Sequence, residues 1–176
     1  MSFRYFEIFE LEPKFLLDEG ALRKQFLLNS KKYHPDYHTL ESEEKQEEIL
    51  QLSSLNNEAY KVLKDFSKRM HYILSEKGLV GEGVKNELPQ SFLMEMMDIN
   101  EELMQLEFDH DPKAIKKVET QIENFQTDWR NAVDPTLLAH DENPSAFMDY
   151  ESIKNFYLKE RYLLRIRENL NKFATR

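Results

Sequence analysis

The chain has 176 residues and a formal net charge of −9, with 40% hydrophobic residues, 32% charged residues and no cysteine. Those proportions belong to a globular chain of one domain or two small ones rather than to a disordered one. The acidic total argues against nucleic-acid binding, and the lack of cysteine excludes disulfides, thiol nucleophiles and cysteine-built zinc or iron–sulfur sites.

Four glycines and six prolines are few for this length, which predicts long helices joined by few turns. No apolar run reaches the length of a membrane span, so no membrane association is expected. The start, Met1-Ser2-Phe3-Arg4-Tyr5, has neither a signal-peptide core nor an Arg-rich transit pattern, so the expected location is cytoplasmic.

Residues 3–10 carry Phe3, Tyr5, Phe6, Ile8 and Phe9, a short apolar segment that must pack on something to persist. Asp18 is a suitable N-cap for a helix over about 19–33. In that helix Leu22, Phe26 and Tyr33 share one face with Asn29 beside them, and Arg23, Lys24, Leu27 and Lys31 lie on the other. Pro35 lacks an N–H and disfavours the helical conformation in the residue before it, so the helix must end near Tyr33. His34-Pro35-Asp36 is then presented on a loop over 34–41, just past a basic helix. Ser42-Glu43-Glu44-Lys45 opens the next helix, about 42–64, with a capping residue and early acids. Its recurring Ile49, Leu52, Leu55 or Asn56, Ala59, Leu63 and Phe66 predict an antiparallel pair with helix 19–33. A bend near Asp65 and a last turn through Lys68, Arg69 and Tyr72 complete the first unit.

Gly78, Gly81, Gly83 and Pro89 mark a linker, and the domain boundaries follow as 1–75, a linker 76–90, and 91–176. The last part contains three helical patterns, about 91–108, 112–133 and 148–173. They are separated at Asp109-His110-Asp111-Pro112 and across a long break from Asp134-Pro135 to Asn143-Pro144. This reads as a small antiparallel bundle.

Chemistry finds little support. His34 and His38 are four apart with Asp36 between them, but Pro35 prevents the helix that would make them a metal pair, and no further ligand has a defined spacing. His71, His110 and His140 stand singly. There is no phosphate-binding glycine loop and no nucleophile elbow. No enzyme activity, cofactor or metal is expected. A metal-dependent hydrolase built on His34, His38 and scattered acids is the rival of a different class.

Residues 3–73 resemble a J-domain. The resemblance is carried by Tyr5-Phe6-Glu7-Ile8-Phe9, by Leu22 to Tyr33 ahead of His34-Pro35-Asp36, by Leu55-Asn56-Asn57-Glu58-Ala59-Tyr60-Lys61-Val62-Leu63, and by Lys68-Arg69-Met70-His71-Tyr72. The segment Phe92-Leu93-Met94-Glu95-Met96-Met97-Asp98-Ile99-Asn100-Glu101-Glu102-Leu103 resembles the start of the C-terminal bundle of the HscB family, the J-protein co-chaperones of iron–sulfur cluster biogenesis. That resemblance implies an all-α, L-shaped protein, with an N-terminal J-domain hairpin and a C-terminal three-helix bundle. It implies two partners: a DnaK/HscA-class chaperone ATPase, and an IscU-type iron–sulfur scaffold. The chaperone would be met by His34, Pro35, Asp36, Arg23, Lys24, Lys31 and Lys32. The scaffold would be met by Leu93, Met94, Met97, Asp98, Glu101, Gln105 and Tyr162. On spacing alone Leu93 and Met97 read either as a partner surface or as bundle core. Gln105 stands where the family usually has an acid. Tyr37 follows the His-Pro-Asp motif where many J-domains have lysine, and Leu27 and Leu28 replace common basic residues. The ionic contact would therefore rest on four cations, which favours a dedicated chaperone.

Overall fold

The computed structural model describes residues 3–106, 111–147 and 149–174. Among them every regular element is helical, and the chain divides into two compact units, Met1–Glu82 with His140–Ser145, and Gly83–Ala139 with Ala146–Arg176.

The first unit holds α1 (Arg4–Glu7), α2 (Glu19–Lys32), α3 (Glu43–Leu63) and α4 (Phe66–Glu76). α2 and α3 begin at the caps the sequence offers, and α4 begins at Asp65. Asp18 accepts from the N–H groups of Gly20 and Ala21 at 2.8 and 3.0 Å. Ser42 Oγ accepts from Lys45 N–H, and Asp65 Oδ1 accepts from Lys68 N–H. Each satisfies donors that a helix start leaves without partners. α2 and α3 run antiparallel. Phe26 stacks on Tyr60 at 4.0 Å, and one turn further along α2 the Ser30 hydroxyl accepts from Asn56 Nδ2 at 3.0 Å, one turn earlier on α3. Asn29 is buried beside this seam and donates to the Ile8 carbonyl, which ties α2 to the segment after α1. Phe6, Phe9, Phe15, Leu22, Ala59, Leu63, Met70 and Ile73 form the buried interior.

Gly78 lies in the stretch read as linker, but its local role is to end α4. With φ at +69°, it donates to the Ser75 carbonyl while Leu79 N–H returns to Leu74, and Val80 is buried beyond them. That is a closing turn with a left-handed residue just past the helix, a place that favours glycine. The end of α1 uses the same bonds, Glu10 to Glu7 and Leu11 to Phe6, with Glu10 at φ +55° in the glycine position.

The second unit holds α5 (Gln90–Glu95), α6 (Met97–Leu106), α7 (Pro112–Glu142) and α8 (Tyr150–Ala174). α7 begins its run in this unit and its last residues belong to the first. The core is Phe92, Met96, Ile99, Leu103 and Leu106 against Val118 and Ile122 of α7 and Leu163, Ile166 and Leu170 of α8.

Two sequence expectations need correction. The helix expected over 91–108 is divided at Met96. Its hydrogen-bond ladder carries on through the break, Met96 to Phe92 and Asn100 to Met96. The Asn100 side chain also donates to the Met96 carbonyl at 2.9 Å, so that carbonyl at the break is shared between the ladder and a side chain. The break expected from Asp134 to Pro144 is largely absent, because α7 continues through Pro135 to Glu142. Proline inside a helix costs about 3 kcal/mol through its lost N–H and its clash with the carbonyl four residues back. Val133 and Leu137 flank it, both buried, and extend the stripe of Val118 and Ile122 at helical spacing. Burying two such side chains contributes about 1.5–3 kcal/mol each, enough to carry the helix past the proline. Of the Asp109-His110-Asp111 turn, Asp109 and His110 lie outside the described residues. Asp111 starts α7, its carboxylate accepting from Lys113 N–H and its carbonyl from Ile115 N–H.

Candidate functional site

The first candidate surface is the end of α2 and the turn after it. His34 is extended (φ −74°, ψ 123°), and Pro35–Tyr37 form a single 3-10 turn. His34 Nδ1 accepts from the Asp36 backbone N–H at 3.3 Å, so the neutral ring carries its proton on Nε2. The Asp36 carboxylate lies 3.8 Å from the same nitrogen, and the His34 ring is 5.4 Å from that of Tyr37. Both ends are open to solvent, with side-chain exposures of 51% for His34 and 83% for Asp36. The turn is held from below by His38, whose Nε2 donates to the Lys32 carbonyl at 2.9 Å, at the end of α2. The motif is therefore an imidazole and a carboxylate held by their own backbone on a rigid proline, facing outward.

Arg23, Lys24, Lys31 and Lys32 are all exposed on α2. None makes an ion pair among the described residues, although Lys32 sits 5.1 Å above the Tyr33 ring. Leu27 and Leu28, between the two basic pairs, are also exposed. Sequence reasoning did not single out the groove beside the turn, about 270 Å³, lined by Pro35, His38, Gln46, Glu47, Ile49 and Leu50. Its signal was weak: Leu50 falls outside the helical stripe of Ile49 and its neighbours, and a single exposed leucine does not mark a groove.

The second candidate surface lies in the other unit. Leu93 and Met94 on α5 and Met97 on α6 are exposed, at 44%, 64% and 55%, while Phe92, Met96 and Ile99 take the core positions. The choice between surface and core at Leu93 and Met97 thus falls to surface. Asp98, Glu101 and Gln105 are exposed on the same helix. Met104, 64% exposed, joins them and was not anticipated. Tyr162 of α8 is half-buried. Its ring meets Phe92 edge-on at 5.3 Å, and its hydroxyl accepts from Asn100 Nδ2 at 2.8 Å. Asn100 therefore spends one amide hydrogen on the α5–α6 break and the other on Tyr162, which couples the exposed Leu/Met face to α8.

Among the described residues no three His, Asp or Glu side chains are grouped to hold a metal ion, and no helix is long and apolar enough to cross a membrane.

A further cluster was not foreseen at all. Phe15, in the loop before α2, donates its backbone N–H to Asp141 Oδ1 at 2.9 Å, and Leu16 N–H donates to Oδ2 at 2.6 Å. His140 Nδ1 bonds the same carboxylate, and its ring meets Phe15 at 4.7 Å. Arg69 Nε donates to the Phe15 carbonyl at 3.0 Å, and Arg69 also donates to the Leu63 carbonyl. The buried guanidinium thus fixes the loop ahead of α2 to the start of α4.

Residues 88–171 match the family described as the HSCB C-terminal oligomerisation domain. The chain is 36% identical over 111 residues to the co-chaperone protein HscB homolog of Vibrio vulnificus (strain YJ016), covering 62% of this chain and 65% of the relative. It is 38% identical over 112 residues to that of Aliivibrio fischeri (strain MJ11), with the same coverage. The match thus spans just under two thirds of the length of these curated relatives. The structure resembles the chaperone HscB from Vibrio cholerae, with a TM-score of 0.66 and 28% identity, covering 96% of this chain and 98% of the other. It also resembles the human co-chaperone protein HscB, with a TM-score of 0.74 and 26% identity over 95% and 80%.

Proposed function

The chain is of the HscB type, and on that premise we propose that it is a J-domain co-chaperone of iron–sulfur cluster biogenesis. It stimulates the ATPase of a DnaK/HscA-class chaperone and delivers an IscU-type scaffold to it. Residues 1–75 act as the J-domain, 76–90 as the linker and 91–176 as the scaffold-binding bundle, in the cytoplasm.

The observation that carries the reading is the pairing of two open surfaces of different chemistry. One is the His34-Pro35-Asp36 turn, with Arg23, Lys24, Lys31 and Lys32 beside it, which make no ion pair among the described residues. The other is Leu93, Met94 and Met97 exposed among Asp98, Glu101 and Gln105, with Tyr162 tied in through Asn100.

The turn works by contact. The cations of α2 draw the chaperone's acidic surface, and the rigid His34-Pro35-Asp36 turn presses on it, so that ATP hydrolysis proceeds in the partner's own site. The Leu/Met face grips the scaffold through adaptable apolar contacts, with the acids setting orientation. One molecule bound to both raises the effective concentration of scaffold at the chaperone. The chain performs no chemistry of its own and holds no cluster, whose ligands lie on the scaffold.

The test is single-turnover ATP hydrolysis by the organism's DnaK/HscA-class chaperone, with this chain and the scaffold added singly and together. The expected result is stimulation by the chain alone and a more than additive rate with both. Stimulation without synergy would remove the scaffold from the reading, and no stimulation with any cognate chaperone would remove the J-domain role.

A further inference from the structure

Beside Tyr162, on the side of α8, lies a pocket of about 160 Å³ lined by Asn86, Leu88, Leu158, Arg161, Tyr162 and Arg165. Arg161 and Arg165 are one helical turn apart, so both guanidinium groups stand on one face. Both are exposed, in a chain whose net charge is −9. Neither makes an ion pair among the described residues; Arg161 donates only to the Tyr157 hydroxyl, at 3.3 Å. Leu88 and Leu158 add apolar lining, and Tyr162, which also lines the pocket, is tied to the α6 helix of the Leu93–Met97 face through its bond to Asn100.

Two guanidinium groups without an ion pair among the described residues, beside apolar lining, suit an acidic side chain. The planar fork of each arginine matches a carboxylate, and partial burial against leucine strengthens the pairing over one in open water. The neighbouring face has the opposite polarity, with Asp98 and Glu101 among Leu and Met. We propose that Arg161 and Arg165 hold an acidic segment of the same scaffold protein that the Leu93–Met97 face grips, an inference that rests on the scaffold reading above. The two patches then form a polarity-coded interface. The acids of α6 take basic or neutral ground on the partner and the arginines of α8 take a carboxylate, so only one orientation satisfies both.

The test measures the affinity of the full chain for the organism's IscU-type scaffold at low and high salt. Three proteins are compared: the unaltered chain, the double variant Arg161→Gln with Arg165→Gln, and the double variant Leu93→Ala with Met97→Ala. The arginine variant is expected to bind about tenfold more weakly at low salt and to lose most of its salt dependence. The Leu/Met variant is expected to bind more weakly with its salt dependence intact. If the arginine variant keeps both affinity and salt dependence while the Leu/Met variant loses binding, the pocket proposal falls and the scaffold reading stands. If the unaltered chain does not bind the scaffold, both fall. Circular dichroism melting checks the fold of each variant. Should the double arginine change unfold the bundle, Arg165→Gln alone reads the same charge, because Arg165 makes no hydrogen bond among the described residues.

Discussion

Asp141 and Phe15 are 126 residues apart in the chain, and the Phe15 backbone N–H donates to Asp141 Oδ1 at 2.9 Å. The other carboxylate oxygen takes Leu16 N–H at 2.6 Å, so one buried side chain satisfies two successive backbone donors. Arg69 holds the carbonyl of the same Phe15. A single loop residue is thus fixed through its N–H, its carbonyl and its ring, and the loop it anchors leads directly into Asp18, the cap of α2. Removing the carboxylate leaves two N–H groups without their acceptor, that of Phe15 in a buried position. Asp141→Ala is expected to destabilise the first unit by about 2–4 kcal/mol. Amide hydrogen exchange at Phe15 and Leu16 checks it directly: both should exchange much faster in the variant, and unchanged protection would show that the carboxylate is dispensable.

The Tyr5 hydroxyl is pushed up from 10.0 to about 12, first by burial and then by its hydrogen bond to Glu58 and the nearby carboxylate charge. Its ring stacks on Tyr72 at 4.5 Å, and its own N–H donates to the Tyr72 hydroxyl. The folded chain therefore holds this proton more tightly than the unfolded one. The contribution is fully present below pH 10 and is lost as pH rises through about 12. Stability should fall across that window in the unaltered chain and fall less steeply in Tyr5→Phe. Urea unfolding at stepped alkaline pH measures the two slopes; identical slopes would mean Tyr5 titrates normally.

His34 is exposed and makes its local bonds only within its own turn. His34→Gln should therefore leave the unfolding free energy within about 0.5 kcal/mol of the unaltered chain, as exposed substitutions do. ATPase stimulation, in contrast, should be abolished, with scaffold binding intact. Surviving stimulation would show that the imidazole is not what the chaperone reads.

Leu93 and Met97 are open to solvent, so truncating them leaves no cavity. Tyr162 also packs on Phe92, so its change is best made both as Ala, within the triple variant, and as Phe alone. Leu93→Ala, Met97→Ala and Tyr162→Ala together should weaken scaffold binding by about 2–4 kcal/mol, or roughly 30- to 1000-fold. Tyr162→Phe should cost far less, since it loses only the acceptor for Asn100. Unchanged affinity in a folded triple variant would take these residues out of the interface.

What was legible in the sequence was local. Asp18 and Ser42 could be read as helix starts because a cap acts on donors two or three residues away, whereas Asp65, the cap of α4, was read only as a bend. The His-Pro-Asp turn could be read because proline fixes its own backbone and that of its neighbour. Leu93 and Met97 could not be assigned a side, because Phe92, Met96 and Ile99 offer an equally good helical stripe one residue away and only packing against α7 and α8 decides between them. Asp141, and the bonds made by Arg69, were silent for a different reason. Their partners are backbone groups of Phe15, Leu16 and Leu63, and a backbone group leaves no mark in the sequence.

Pro135 is the sharpest of these cases, since local reasoning pointed the wrong way. The rule that proline ends a helix is a statement about cost, and α7 meets that cost with Val133 and Leu137 buried on either side. Pro135 itself is exposed, so its ring contributes little packing. Pro135→Ala would restore one backbone donor to the helix and relieve the clash at the Asn131 carbonyl without opening a cavity. It should raise stability by about 1–3 kcal/mol, the upper end being the full propensity difference and the lower end allowing for the greater freedom alanine gives the unfolded chain. The fluorescence of Trp129, on the same helix, follows the transition in urea. A midpoint that moves down rather than up would mean that the proline sets a bend which the packing of Val133 and Leu137 requires.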